Sequence, residues 1–364
     1  MKTHHTRTAA IVDRISDASL VIIGAIHATV LAVTMLLAFT ATQAKAEAPA
    51  KTCGGNNLMQ KFAADNPERF AAIESEAAKV PFGEGLLFKL EKDGSAPSYL
   101  FGTMHMTDPR VISLPKAAQA ALDGADIVAI ESTEILDPAA AQVALMAKPE
   151  LTMFVDDKRL SDFLNEEEKV VLAKNLAERG MQLALIDRMK PWLLTGMFAL
   201  PECEFERKQA GEPFLDLALA QSAEKDGKEL VGLETLIEQF DAMASLPMKF
   251  HVKGLIDTLA LGDTVKDVTE TMIILYTEGK TGTVWPMLRA VSDMAGQTDT
   301  ASSEGYAQFE ETMVNTRNKT MLKRSTPLLE RGNAFIAVGA LHLPGENGLA
   351  QLYKDAGYTV TAVQ

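Results

Sequence analysis

Hydrophobic and polar positions along the chain change period several times, and each change marks an element. Lys61 to Lys79 is rich in Ala and Glu and reads as an amphipathic helix. After Pro81-Phe82-Gly83, the run Leu86-Leu87-Phe88-Lys89-Leu90-Glu91 alternates as a strand does. Lys92-Asp93-Gly94 supplies a tight turn, and Tyr99-Leu100-Phe101 returns, which predicts a hairpin. Ser113 to Leu122 predicts a helix, with Ser113 as cap, Pro115 in the first turn and Gly124 just past the end. Ile127-Val128-Ala129-Ile130 is a fully apolar strand that ends in Glu131.

From Asp137 to about Lys208 the pattern is helical, interrupted at Pro191 and Pro201. A helix at Phe214–Ala223 and a strand at Glu229–Leu233 follow, and this strand also ends in an acid, Glu234. Residues 235 to 330 are again mostly helical and rich in Met, Leu and Ala. Then Ala334-Phe335-Ile336-Ala337-Val338 forms an apolar strand. A helix with Leu349, Leu352 and Tyr353 comes next, Gly357 stops it, and Tyr358–Val363 is a last strand. Strands alternating with helices predict an α/β fold with a central, mostly parallel sheet. No low-complexity linker divides it, so one domain with a large helical insertion at about 235–330 is the simplest description.

The amino terminus has a different character. Lys2, Arg7 and Arg14 precede an apolar run from about Ala18 to Ala41, and Ala44-Lys45-Ala46 has the small-x-small form of a signal-peptidase site. Residues 1–46 therefore read as a signal peptide and 47–364 as the mature, exported chain, periplasmic or extracellular. An uncleaved membrane anchor is the rival reading of the same run. The formal net charge of −14 disfavours nucleic acid as a partner. The membrane is a partner only if the anchor is kept. Two cysteines, Cys53 and Cys203, suit one disulfide in an exported chain, with two free thiols as the alternative. The oligomeric state is left open.

Strand, Gly-x-x-His, loop, helix, Gly, strand occurs at residues 99–131 and again at 334–363, as Gly102-Thr103-Met104-His105 and Gly339-Ala340-Leu341-His342. Beyond residue 46 the histidines are His105, His251 and His342, so two of three hold equivalent places in what reads as two related halves. In a parallel sheet, loops at the carboxyl ends of adjacent strands line one crevice. A glycine at the strand exit permits an unusual turn or a close backbone approach. Two imidazoles joined by the strand-end Glu131, and by Glu234, form a donor set for a divalent metal (Zn, Mn, Fe or Co) that activates water. Taken singly, each His reads as a structural residue; the duplication favours the site. His251 reads as a helix-surface residue, and Met243, Met248, Met272 and Met287 as core filling. No His-Glu-x-x-His helix or Gly-x-Ser-x-Gly elbow is present.

These residues resemble the TraB/PrgY/GumN family, which includes the TIKI proteases. The matching stretches are Tyr99 to His105 with Asp108-Pro109-Arg110, the strand Asp126–Glu131, Leu215-Asp216 through Gly232-Leu233-Glu234-Thr235, Arg317-Asn318, and Ala337 to Gly345 with Gly348-Leu349. The resemblance implies a fold related to haem-binding and erythromycin-esterase-like proteins. It also implies metal-dependent hydrolysis of a peptide or small amide substrate. Carried over, His105, Glu131 and His342 are the core set, Arg317 holds a substrate carboxylate or oxyanion, and Asp216 and Glu234 are further candidates. Two alternatives stand beside it. One is a binding protein of the same fold that holds haem, metal or a small ligand without turnover. The other is an interaction protein in signalling-peptide inhibition or polysaccharide export.

Overall fold

A computed structural model describes residues 52–294, 305 and 307–363. The signal-peptide and anchor readings of residues 1–46 lie outside the described residues. Among those described, no helix is long and apolar enough to cross a membrane.

Six strands form one mixed sheet: β1 (Leu87–Glu91), β2 (Ser98–Thr103), β3 (Ile127–Ile130), β4 (Glu229–Gly232), β5 (Ala334–Gly339) and β6 (Thr359–Val363), in the order β4-β3-β5-β2-β1-β6. The predicted hairpin is present, with Leu87 opposite Phe101 and the turn at Gly94, whose φ of 89° suits glycine. β1 is antiparallel to both neighbours, and the other five strands run in one direction. The sheet is thus mixed through a single reversed strand.

The helices used below are α1 (Leu58–Asp65), α2 (Pro67–Ala77), α3 (Lys116–Gly124), α4 (Pro191–Phe198), α5 (Glu202–Gln209), α6 (Leu215–Lys225), α7 (Leu236–Ala244), α8 (Met248–Leu261), α9 (Thr264–Thr277), α10 (Thr316–Arg331) and α11 (Leu349–Asp355). The single helix expected from Lys61 is two helices. Asn66 caps α2 with its side chain and Pro67 opens it, because a proline in the first turn gives up no hydrogen bond. α3 starts later than Ser113 because Pro115 occupies its N-cap.

Buried alternation explains the layers. Phe101, Val128, Ile130 and Phe335 point to one face, where α3 and α6 cover them. Leu100, Ile127, Ala129 and Ile336 point to the other, against α10 and α11. The two sequence copies wind differently. From β2 the chain passes through α3 to β3, two places toward the β4 edge. From β5 it passes through α11 to β6, three places toward the opposite edge. Crossovers of one hand running in opposite directions must put their helices on opposite faces, as α3 and α11 are. The two copies therefore do not repeat in space. Their divergence instead leaves a gap between the carboxyl ends of neighbouring strands β2 and β5, the kind of switch point where α/β sheets bind ligands.

Helices fill two excursions, not one. Residues 133–214 lie between β3 and α6, the helix that leads into β4, and 235–333 separate β4 from β5. The two share a core in which Leu160, Leu172 and Leu194 meet Val252 and Leu255. Cys53 and Cys203 form a disulfide with Cα atoms 5.5 Å apart, tying the start of the described chain to α5.

Candidate active site at the ends of β2, β3 and β5

β5 ends in Gly339, and the single turn Ala340–His342 carries the His342 ring back over the sheet, 5% exposed. Asn318, on α10 and fully buried, grips it. Its Nδ2 donates to the carbonyls of His342 (3.2 Å) and Asn347 (2.8 Å), so its Oδ1 is the atom 2.7 Å from His342 Nδ1. That assigns the ring proton to Nδ1 and leaves Nε2 with a bare lone pair. Burial pushes the imidazole down to about 4 against the opposing pull of Glu131, so it is neutral at pH 7.

Glu131, just past β3, faces that lone pair, its Oε1 3.8 Å from His342 Nε2. The same Oε1 accepts the Gly339 N–H at 2.7 Å. Oε2 accepts from Arg317 Nη2 (2.7 Å) and Gln239 Nε2 (3.0 Å). Burial alone raises this carboxyl, but His342, Arg317, His105 and the Gly339 N–H outweigh it and hold it at about 2. Glu234, after β4, is turned wholly to Arg317: Nε and Nη2 reach its two oxygens at 2.7–3.2 Å. Burial raises Glu234 in spite of that pairing.

His105 follows β2 and is open, its side chain 56% exposed. The ring stacks on Phe214 at 5.4 Å, and its Nε2 lies 3.9 Å from Asp216 Oδ1. Asp216, in the first turn of α6, is buried. Its Oδ1 accepts from Thr103 Oγ1 at 2.7 Å, whereas Oδ2 is buried with no hydrogen-bond partner in the structure. Burial raises this carboxyl, against the pull of His105.

The two motif glycines serve close approach, and neither has a positive φ. A Cβ on Gly102 would stand 3.0 Å from Leu343 Cδ2 and 3.1 Å from Ala340, so the bare backbone lets the β5 exit pack on β2. A Cβ on Gly339 would stand 3.1 Å from Glu131 Oε1, so its absence lets the carboxylate reach the backbone N–H. Above these groups opens a cavity of about 400 Å³. Its floor is His105, Glu131, Arg317 and His342, and its walls are apolar, from Trp192 on α4, Phe240 and Met243 on α7, Met272 on α9, Trp285 and Phe309.

The structure therefore gathers His105, Glu131, His342, Asp216, Arg317 and Glu234 around one gap, with different parts to play. Arg317 was expected to hold a substrate anion, but it spends its Nε and Nη2 hydrogens on Glu131 and Glu234 and one from Nη1 on the Met313 carbonyl. Glu234 was expected as a metal ligand, but both its oxygens are engaged by that guanidinium. His251 is buried at 4% exposure rather than on the surface, because it shares the inward face of α8 with Val252 and Leu255. Met243 and Met272 line the cavity, while Met287 fills the core as expected. Asn318 lay beside Arg317 in the matched stretch, but its role needs α10 folded against the β5 turn. Gln239 and Trp192 carried no local signal.

In donor type, burial and charge the residues fit a divalent metal ion. Two carboxylates, Glu131 and Glu234, share the Arg317 guanidinium, His342 Nε2 is a neutral lone pair, and Asp216 Oδ2 lacks a hydrogen-bond partner. Among the described residues no three His, Cys, Asp or Glu side chains converge on one point, and the donors stand as two pairs, His342 with Glu131 and His105 with Asp216.

Comparison with known proteins bears out the family resemblance. The model of the TraB/PrgY/gumN family matches residues 86–362. Metalloprotease TIKI1 of Danio rerio is 26% identical over 315 residues, covering 75% of this chain and 62% of its own. Metalloprotease TIKI2 of Danio rerio is 25% identical over 304 residues, covering 72% and 58%. Metalloprotease TIKI1 of Homo sapiens is 25% identical over 318 residues, covering 75% and 61%. The chain thus spans about three fifths of the length of these relatives. No solved structure matches. With both Gly-x-x-His loops, Glu131 and Arg317 inside the matched span, the chain belongs to the TraB/PrgY/gumN family.

Proposed function

We propose that the chain is an exported, metal-dependent hydrolase of peptide or amide bonds. The observation that carries this is the His342–Glu131 pair: a neutral imidazole with its free nitrogen aimed at a carboxylate, on the floor of an apolar cavity. The relatives' description as metalloproteases supports the same reading.

His342, Glu131 and His105 would hold the ion. When bound it supplies a Lewis acid for the scissile carbonyl and an acidified water. Asn318 keeps the His342 proton on Nδ1, so Nε2 always presents its lone pair. Gly339 and Arg317 fix the Glu131 carboxylate without neutralising it by a proton. Its three hydrogen bonds leave it poorly suited to take a proton, whereas Asp216 has an unengaged buried oxygen beside His105 and is the better acceptor. The apolar walls exclude water and admit apolar side chains of the substrate.

Metal analysis of residues 47–364 beside His105→Ala and His342→Ala, paired with a peptide-cleavage screen, tests this. Near-stoichiometric Zn, Mn or Co in the parent, lost in both variants, with metal-dependent cleavage, supports it. A parent that takes up no metal and cleaves nothing sinks it. A visible absorption band would instead point to haem.

A further inference from the structure

His342 and His105 are held by opposite means. Asn318 grips the ring of His342, while the His105 ring stands half in solvent and its backbone is what is secured. That backbone is clamped from outside the sheet by one helix, α5. Lys208 Nζ donates to the His105 carbonyl at 2.7 Å. Glu204, fully buried, accepts the Thr107 N–H on Oε1 and the Thr107 hydroxyl on Oε2, each at 2.8 Å. Arg207 Nη2 donates to Glu204 Oε2 at 2.9 Å and lies 3.1 Å from Cys53 Sγ. Cys203, one residue before Glu204, is bonded to Cys53.

A buried carboxylate is costly unless its charge is used. Here Arg207 and Lys208 balance the charge, and each oxygen accepts from Thr107, two places past His105, in a loop at a strand end where backbone is otherwise free to move. Lys208 also lies over the Phe214 ring, at 4.9 Å, on which His105 stacks. Ring platform, carbonyl and loop exit are therefore all set by α5 and the turn that follows it, and α5 is pinned at its start by the crosslink.

We propose that Glu204 and Lys208 are positioning residues for His105, and that the Cys53–Cys203 disulfide anchors the helix through which they act. This rests on the reading that His105 works in the site.

The test compares the parent 47–364 chain with Lys208→Met, Lys208→Arg and the Cys53→Ser/Cys203→Ser pair. Lys208→Met keeps a side chain of similar length and removes the ammonium, both as donor to the His105 carbonyl and as the cation over Phe214. The imidazole signals of His105 and His342 are followed by NMR, with His105→Gln for assignment, alongside melting and turnover. The expected result is a shifted and broadened His105 signal in Lys208→Met and in the double-serine chain, with His342 unchanged in Lys208→Met. Melting of Lys208→Met stays at the parent value, kcat falls about ten- to a hundred-fold, and Lys208→Arg restores both signal and kcat. A His105 signal at the parent position in Lys208→Met and in the double-serine chain overturns the proposal. If the parent has no turnover, the hydrolase reading fails, and the His105 signal still decides this one.

Discussion

Asn318 Oδ1 lies 2.7 Å from His342 Nδ1 while its Nδ2 holds the His342 carbonyl, so one amide sets both the path of the loop and the proton on the ring. Both ends of the Asn318 amide are committed to this, and no hydroxyl or carboxylate of similar size offers the same pattern of one acceptor and two donors.

Asn318→Ala removes that grip. Turnover is expected to fall about 10–100-fold, because the ligand nitrogen loses its fixed tautomer. Stability is expected to fall by about 1–3 kcal/mol from the buried carbonyls left unpaired. Steady-state kinetics and urea denaturation read the two effects. A variant at the parent's turnover would remove Asn318 from the site.

Metal-free protein is expected to lose stability as pH falls from about 6.5 toward 4. The folded His342 imidazole is pushed down to about 4, so in this window the unfolded chain binds a proton that the folded chain refuses. The contribution is on the order of 3 kcal/mol. Glu131 acts lower: its folded carboxyl is depressed to about 2, so its stabilisation is present above the unfolded value and is lost only as pH falls further. Denaturation of the parent and His342→Asn between pH 4 and 7 checks this. Parallel curves for the two proteins would contradict it.

Gly339→Ala leaves the backbone angles allowed, with φ at −49°, but sets a methyl 3.1 Å from Glu131 Oε1. The carboxylate or the strand end must give way, at a cost of about 1–3 kcal/mol. Metal uptake is expected to weaken with it. Titration calorimetry with zinc, beside the thermal melt, reads both.

Breaking the Cys53–Cys203 bond opens a loop spanning a sequence separation of 150 residues. Loop-closure entropy predicts a loss of roughly 2–5 kcal/mol. Denaturation with and without dithiothreitol measures it, and curves that coincide would mean that the crosslink does not constrain the unfolded chain.

Added zinc should raise the melting temperature of metal-free protein, corresponding to about 2.7 kcal/mol at a hundred times the dissociation constant. His342→Ala should abolish the rise. A parent melt unmoved by zinc, manganese and cobalt counts against a metal at this site.

Much of the sheet was legible because its strands are short apolar runs bounded by turn residues, as at Ile127–Ile130 and Ala334–Val338. Glu131 was legible as the acid that ends such a run. The break at Asn66-Pro67 was written in the chain but was outweighed by the helical pattern around it. What lay hidden was set by tertiary structure. Gln239 reaches Glu131 across 108 residues and Glu204 reaches Thr107 across 97, so no local period announces either contact. His251 looked polar and exposed, yet the phase of α8 turns it inward. The motif repeat predicted that two loops would meet, but not that the crossovers leaving the two parallel strands run toward opposite edges of the sheet.

That divergence bears on how such a scaffold can change its target. In the floor, His105, Glu131 and His342 follow strand ends and Arg317 comes from α10, whereas the walls come from side chains such as Trp192 in excursion 133–214 and Phe240, Met243, Met272 and Trp285 in excursion 235–333. Exchanging those wall side chains would reshape the opening while leaving the strand pairings, and the contacts of α5 and α10 with the floor, in place. Floor and opening are thereby set by different side chains, so the shape and polarity of the walls can vary across such a fold while the polar floor stays the same.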